Sequence, residues 1–325
     1  MDGKPENNIA NGKFENPHVK YRGFPFWAWN SELKKDELEE QIEIFKSMGF
    51  GGFFMHVRQG LETRYLGNDF MDAVEVCAKK AKELGMYAFL YDEDRWPSGA
   101  AGGFVTANKM FRQKYLEMTC LDRSDSYPDE KSAAENGGCL FVAAFSVEKD
   151  KDGCMTSYRR IGREESAEDK RYFFIRVAPG NEPRYNYQSY TDTLNKDAMD
   201  EFIKITHEAY YKRFSNEFGK TMPAIFTDEP QTIRTLSLDR GFSKKDAHMA
   251  WTFDFAESFK EKYGYDITEK LPELFFAMKD GGGFKTRYDV RRHISERFCT
   301  AFTDNIGKWC SSHGIALTGH VLGED

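Results

Sequence analysis

No stretch of this 325-residue chain is apolar over the length of a membrane span, and the polar opening from Met1 to Lys13 contains no apolar run of signal-peptide kind. An excess of basic residues is also missing. Lys and Arg number 46 against 53 Asp and Glu, a net charge of −7, so a nucleic-acid partner, whose phosphates need a basic surface, is not expected. The six cysteines (Cys77, Cys120, Cys139, Cys154, Cys299, Cys310) show no CxxC and no Cys/His spacing. His207-Glu208 is half of a helical zinc motif without its second histidine, which excludes zinc on that pattern. Cys77 and Cys299 fall in helical patterns and are expected as buried free thiols, which fits a reducing, cytoplasmic setting. No GxGxxG follows the first apolar strand, so a dinucleotide fold is not supported.

What the chain does contain is 40% hydrophobic and 30% charged residues, the balance of a globular domain, with aromatics at 15%. Its apolar runs alternate between strand and helix. Phe24–Asn30 reads as a strand, and Ser31–Met48 as a helix with Leu38, Ile42, Phe45 and Met48 at helical spacing, stopped by Gly49. Gly51–Arg58 reads as a second strand, Asn68–Leu84 as a second helix, and the apolar run after Gly85 as a third strand. Such β-α-β-α-β alternation predicts a parallel sheet, and a (β/α)8 barrel with its site at the C-terminal strand ends is the expected architecture.

The rhythm breaks at about residue 111. Lys114–Leu121, Cys139–Val147, Met155–Arg160 and Arg171–Val177 read as antiparallel strands, which predicts an inserted β subdomain over 111–195. It lies between a lead-in (1–20), a first barrel part (21–110) and a barrel continuation (196–325). The continuation is expected to hold a helix over Lys196–Phe218, the strand Ala224–Asp228, helices around Ala250–Tyr263 and Glu269–Lys279, a long helix over Thr286–His313 and a last strand from Ile315. Five strands leave two open edges, so an incomplete barrel, a fragment of a longer protein or one completed by an oligomeric partner, is expected.

Three of these strands end in acids: Asp92-Glu93-Asp94, Asp228-Glu229 and Glu324. A pair of carboxylic acids across a glycosidic bond is the usual machinery for cleaving it, one protonating the leaving oxygen and the other activating water or attacking. Glu229 and Glu324 are therefore the candidate catalytic pair. Asp92 and Asp94 share a face if their strand persists, with Glu93 opposed. These three, with Asp228 and His320, are candidates for holding substrate. His56 and Arg58, two apart, suit hydroxyls or a carboxylate. Trp29 and Trp96 are candidate sugar-stacking faces.

The stretches Phe26-Trp27-Ala28-Trp29-Asn30, Gly51–Leu61 and Tyr91-Asp92-Glu93-Asp94-Arg95-Trp96-Pro97-Ser98-Gly99 resemble the catalytic domain of bacterial proteins related to glycoside hydrolase family 106, the α-L-rhamnosidases. Phe226–Pro230 and Thr318–Glu324 continue the match in order. The resemblance implies a (β/α)8 barrel that removes a terminal sugar, with inversion, using two Glu and often a bound calcium ion. It places the general acid at Glu229 and the base at Glu324. It also implies further barrel strands and β-sandwich domains beyond this chain. A carbohydrate is thus the expected substrate, with no nucleic acid or membrane as partner. A non-catalytic carbohydrate-binding barrel and a barrel using its acids to hold a divalent metal are the other readings the residues allow.

Overall fold

The computed structural model describes residues 15–238, 240–279 and 281–322. The strands in chain order are β1 (Phe26–Trp29), β2 (Gly52–Val57), β3 (Tyr87–Tyr91), β4 (Lys114–Thr119), β5 (Ser126–Tyr127), β6 (Cys139–Lys149), β7 (Met155–Ile161), β8 (Lys170–Val177), β9 (Ala224–Asp228), β10 (Ala247–Ala250) and β11 (Ala316–His320). They belong to two compact units. The first joins the chain up to Gly102 with Ile203–Pro230 and the segment from Ile306; the second comprises Gly103–Phe202 and Gln231–Asn305.

In the first unit five strands form one wholly parallel sheet in the order β1-β2-β3-β9-β11. Register sorts its side chains between two faces. One carries Trp27, Phe53, Met55, Val57, Ala88, Leu90 and Ile225, all buried. The helix Lys35–Ser47 covers part of it: Leu38 and Ile42 are buried, and Gln41 accepts a hydrogen bond from the Trp27 indole at 2.8 Å. Asp36 and Glu37 in its first turn and Lys46 in its last complement the helix dipole. The helix Asn68–Glu83 buries Phe70, Val74, Cys77 and Ala81 in the same manner.

The opposite face is aromatic. Phe26, Phe54, Phe89 and Phe226 pack with ring centroids 4.5–5.3 Å apart. At the C-terminal ends of the strands the same face continues into His56, Tyr91, Asp228 and His320. Among the described residues β1 and β11 are edges, so the sheet does not close, and Phe26 remains 50% exposed.

The second unit is a six-stranded sheet in the order β10-β4-β8-β6-β5, with β7 paired to β6; its pairs are antiparallel except β5 with β6. Leu116, Phe145, Phe173 and Ile175 from this sheet share one core with Trp251, Phe255, Phe259, Leu271 and Val290. The excursion Gln231–Asn305 thus packs on the β unit, because its apolar helix faces have that sheet to bury against. A buried ion pair also braces the unit: Lys114 Nζ lies 3.1 Å from Asp192 Oδ2, which also accepts from Thr252 Oγ1 at 2.6 Å.

Several expectations need correction. Ala250 is not helical: β10 pairs with β4 through Ala250 and Tyr115, and the helix begins at Phe255. The helix expected at Glu269–Lys279 shrinks to Pro272–Phe275, since Phe276 turns extended to bury its ring. The long helical runs are broken by π turns at Ile203–His207 and Cys299–Thr303. Cys77 is buried, but Cys299, in the second of those turns, is exposed. No described helix is long and apolar enough to cross a membrane.

Removing one partner of a buried ion pair leaves an uncompensated charge. Asp192→Ala is therefore expected to destabilise the protein by about 3–5 kcal/mol in chemical denaturation. A loss within the range of an exposed substitution would contradict the bracing role.

Candidate functional site

The first unit's site grows from β9. Asp228 is its last residue, and Glu229 comes next in a left-handed conformation with φ 47°. That region is uncommon for a residue with a side chain. The Glu229 N–H donates to His320 O at 2.9 Å, so β11 holds the turn in place.

Asp228 is surrounded by donors. Tyr91 Oη donates to its Oδ2 at 2.7 Å, and His56 Nε2 lies 3.4 Å from the same oxygen. His320 Nε2 sits 3.4 Å from Oδ1. Burial opposes ionisation here, but the contacts from His56 and Tyr91 outweigh it and hold the carboxyl below its ordinary range. Burial, reinforced by Asp228, drives the Tyr91 hydroxyl far upward, so it stays a donor.

Glu229 shares this neighbourhood. The Trp96 indole N–H donates to its Oε2 at 2.8 Å, and Oε1 lies 3.6 Å from His320 Nε2. His320 therefore stands between two adjacent carboxylates. Its side chain is 39% exposed, against 11% for Asp228 and 29% for Glu229, so this end of the face is open to a ligand.

The acids after β3 do other work. The strand ends at Tyr91, so alternation does not govern the directions of Asp92, Glu93 and Asp94. Asp92 is fully buried; the Ser98 hydroxyl donates to its Oδ1 at 2.5 Å, and burial raises its carboxyl well above the ordinary range. Ser98 Oγ also accepts from the Asp228 N–H at 2.8 Å, tying the two strand ends together.

Glu93 does not face a ligand, contrary to its expected role as a substrate-holding acid. Its Oε2 accepts the N–H groups of Gly99, Ala100 and Ala101 at 2.8–2.9 Å, while Oε1 accepts that of Asp94 at 2.8 Å and that of Gly102. Five backbone donors wrapped on one buried carboxylate make it the template of the loop that carries Trp96 and Ser98. Burial pushes this carboxyl up to about 7 against the pull of those N–H groups.

Asp94 is buried, 3.9 Å from Arg95 Nε. A Cβ at Gly102 would meet its Oδ2 at 2.8 Å, and Gly102 has φ +64°, so glycine is required there on both counts. Trp29 is 2% exposed, edge-on to Trp27 and Phe70 at 5.7 Å, and so is core rather than a sugar face. Arg58 is exposed beyond the end of β2 at Val57, where strand alternation no longer ties it to His56. Glu324 lies outside the described residues.

The structure thus brings together His56, Trp96, Asp228, Glu229 and His320, and turns Trp29, Asp92 and Glu93 to structural use. Tyr91 and Ser98 escaped the sequence reading. Tyr91 was within reach, since period-two alternation sets it on the face of Phe89; nothing in the local pattern marks Ser98.

Among the described residues no group of three or more His, Cys, Asp and Glu side chains converges as a metal site. Of the acids after β3, Glu93 is taken up by backbone N–H groups and Asp92 Oδ1 by Ser98, while Asp92 Oδ2 is buried without a hydrogen-bond partner among the described residues. No catalytic step is assigned to the calcium ion that the resemblance implied.

No family model and no curated protein matches the sequence. A search of solved structures matches a rhamnosidase from Novosphingobium sp. PP1Y with TM-score 0.62 and 13% sequence identity. The match covers 96% of this chain and 47% of that one, so the chain spans about half the length of its structural neighbour. The likeness is one of fold. The chain has a mixed α/β, rhamnosidase-like architecture.

Glu93→Gln would set an amide NH2 against backbone N–H donors, at an expected cost of roughly 1–3 kcal/mol in urea denaturation. Linkage adds a second signature. The folded pKa of about 7 lies above the ordinary value of 4.5, so between these the folded state keeps a proton the unfolded chain has lost. Glu93 therefore makes stability fall as pH rises through that window, and the glutamine variant loses this component. A variant whose stability falls as steeply as the wild type's contradicts the assignment.

Proposed function

We propose that the chain is the catalytic part of a glycoside hydrolase that removes a terminal sugar of rhamnose type. In this reading its five parallel strands are part of a (β/α)8 barrel related to family 106. The observation that carries the reading is the Asp228-Glu229 strand end, with its left-handed turn, its indole anchor and its two histidines on an aromatic face. The rhamnosidase-like fold supports the same direction.

Glu229 is the general acid. Trp96 fixes one carboxyl oxygen and so limits the rotation of the group, leaving the other oxygen on the side of His320. Glu324 is the base that activates water. Asp228, kept anionic by His56 and Tyr91, supplies the negative charge that favours an oxocarbenium-like transition state. His56 and His320 are the hydroxyl partners of the sugar, and the aromatic face beneath them is the apolar surface it packs on.

Glu229→Gln keeps the shape and the Trp96 contact but removes the proton. With an aryl α-L-rhamnoside, kcat of the natural protein is expected to fall about 10²- to 10⁴-fold, with KM changed far less. Unchanged kcat would falsify the acid role. Binding of the sugar with no hydrolysis by the wild type would favour a non-catalytic carbohydrate-binding barrel.

A further inference from the structure

The second unit contains a cavity of its own, about 330 Å³, with no part in the strand-end chemistry. Its size falls at the lower end of the range for small-molecule sites. Two buried tyrosines line it, Tyr185 and Tyr190, with ring centroids 5.5 Å apart, and Tyr190 Oη accepts the Gln231 N–H at 3.2 Å. Gln113, Gln231 and Thr232 also line it, side chains that both donate and accept, as a sugar hydroxyl does. Arg184, Arg234 and Glu182 are the charged residues of the lining, two cations with one carboxylate, so a charged ligand is a necessary control in any test.

The wall is built for rigidity. Asn186 and Tyr187 are both left-handed, φ 53° and 62°, and the turn is closed by Glu182 N–H to Gln188 O at 3.0 Å and Tyr187 N–H to Glu182 O at 3.1 Å. Two consecutive side-chain-bearing residues in that region are strained, and such strain persists only where the surroundings over-determine it. Arg112 Nη2 donates to Gln188 Oε1 at 2.8 Å, and Gly103 gives the turn clearance, since a Cβ there would meet Tyr185 O at 2.3 Å. The result of the bracing is that Tyr187 is presented 70% exposed beside the cavity residues. The far wall, Gln231 to Arg234, begins two residues after Glu229 in the chain.

We propose that this cavity is a sugar-binding site in its own right, taking a neutral hexose unit. As an accessory site of a hydrolase it rests on the proposed glycosidase function, but its occupancy is measurable without catalysis.

The test is calorimetric titration of the protein with maltotriose, cellotriose and raffinose, and with inorganic phosphate and glucuronate as charged alternatives. At least one neutral trisaccharide is expected to bind, with Kd raised about tenfold or more in Gln113→Ala and in Arg234→Ala. The second substitution is at an exposed position, and unchanged melting curves verify folding. No binding by any neutral sugar, equal affinity in both variants, or binding of phosphate or glucuronate alone overturns the proposal. The two readings fail separately. Sugar binding here without hydrolysis of any aryl glycoside rejects the hydrolase and keeps the sugar site; hydrolysis without such binding does the reverse.

Discussion

The strand-end site depends on one buried carboxylate that touches no ligand. Glu93 gathers the N–H groups of five residues between Asp94 and Gly102 and so sets the path of a loop with no regular structure to hold it. A backbone this deeply buried must find partners for its polar groups. One side chain supplies them. From that loop Trp96 reaches Glu229 and Ser98 reaches both Asp92 and Asp228. The placement of the Glu229 carboxyl is thus a consequence of hydrogen-bond satisfaction one layer below it.

The electrostatics derive from burial and from the partners met there. Asp92 and Glu93, fully buried, are pushed toward the protonated state, while Asp228, also buried but met by His56 and Tyr91, is held anionic. Neighbouring acids in sequence therefore serve opposite ends. Asp228 carries the negative charge at this strand end, and His320 is the shared neighbour of Asp228 and Glu229.

Much of this architecture was legible in the residues. The alternation of β1 to β3 with two helices rests on apolar spacing and on the stops at Gly49 and Gly85, which the register and burial of Phe53, Leu38 and Phe70 reflect. The acid-bearing strand end at Asp228-Glu229 stood out for the same reason. Other features depended on tertiary pairing. Ala250 has helical surroundings in sequence but is captured by β4, and the excursion from Gln231 finds its core against strands that lie between Lys114 and Val177. Trp29 and Glu93 misled because residue type does not reveal direction: an indole suits core or sugar equally, and a carboxylate suits backbone N–H groups as well as substrate.

In the proposed function the open, aromatic strand end around Asp228 and Glu229 receives a sugar. The decisive measurement is a crystal structure of the natural protein carrying Glu229→Gln, soaked with an aryl α-L-rhamnoside. The rhamnosyl ring is expected against Asp228, His56 and His320, with the glycosidic oxygen at the residue-229 side chain. Density for the sugar elsewhere, with this strand end empty, would contradict it.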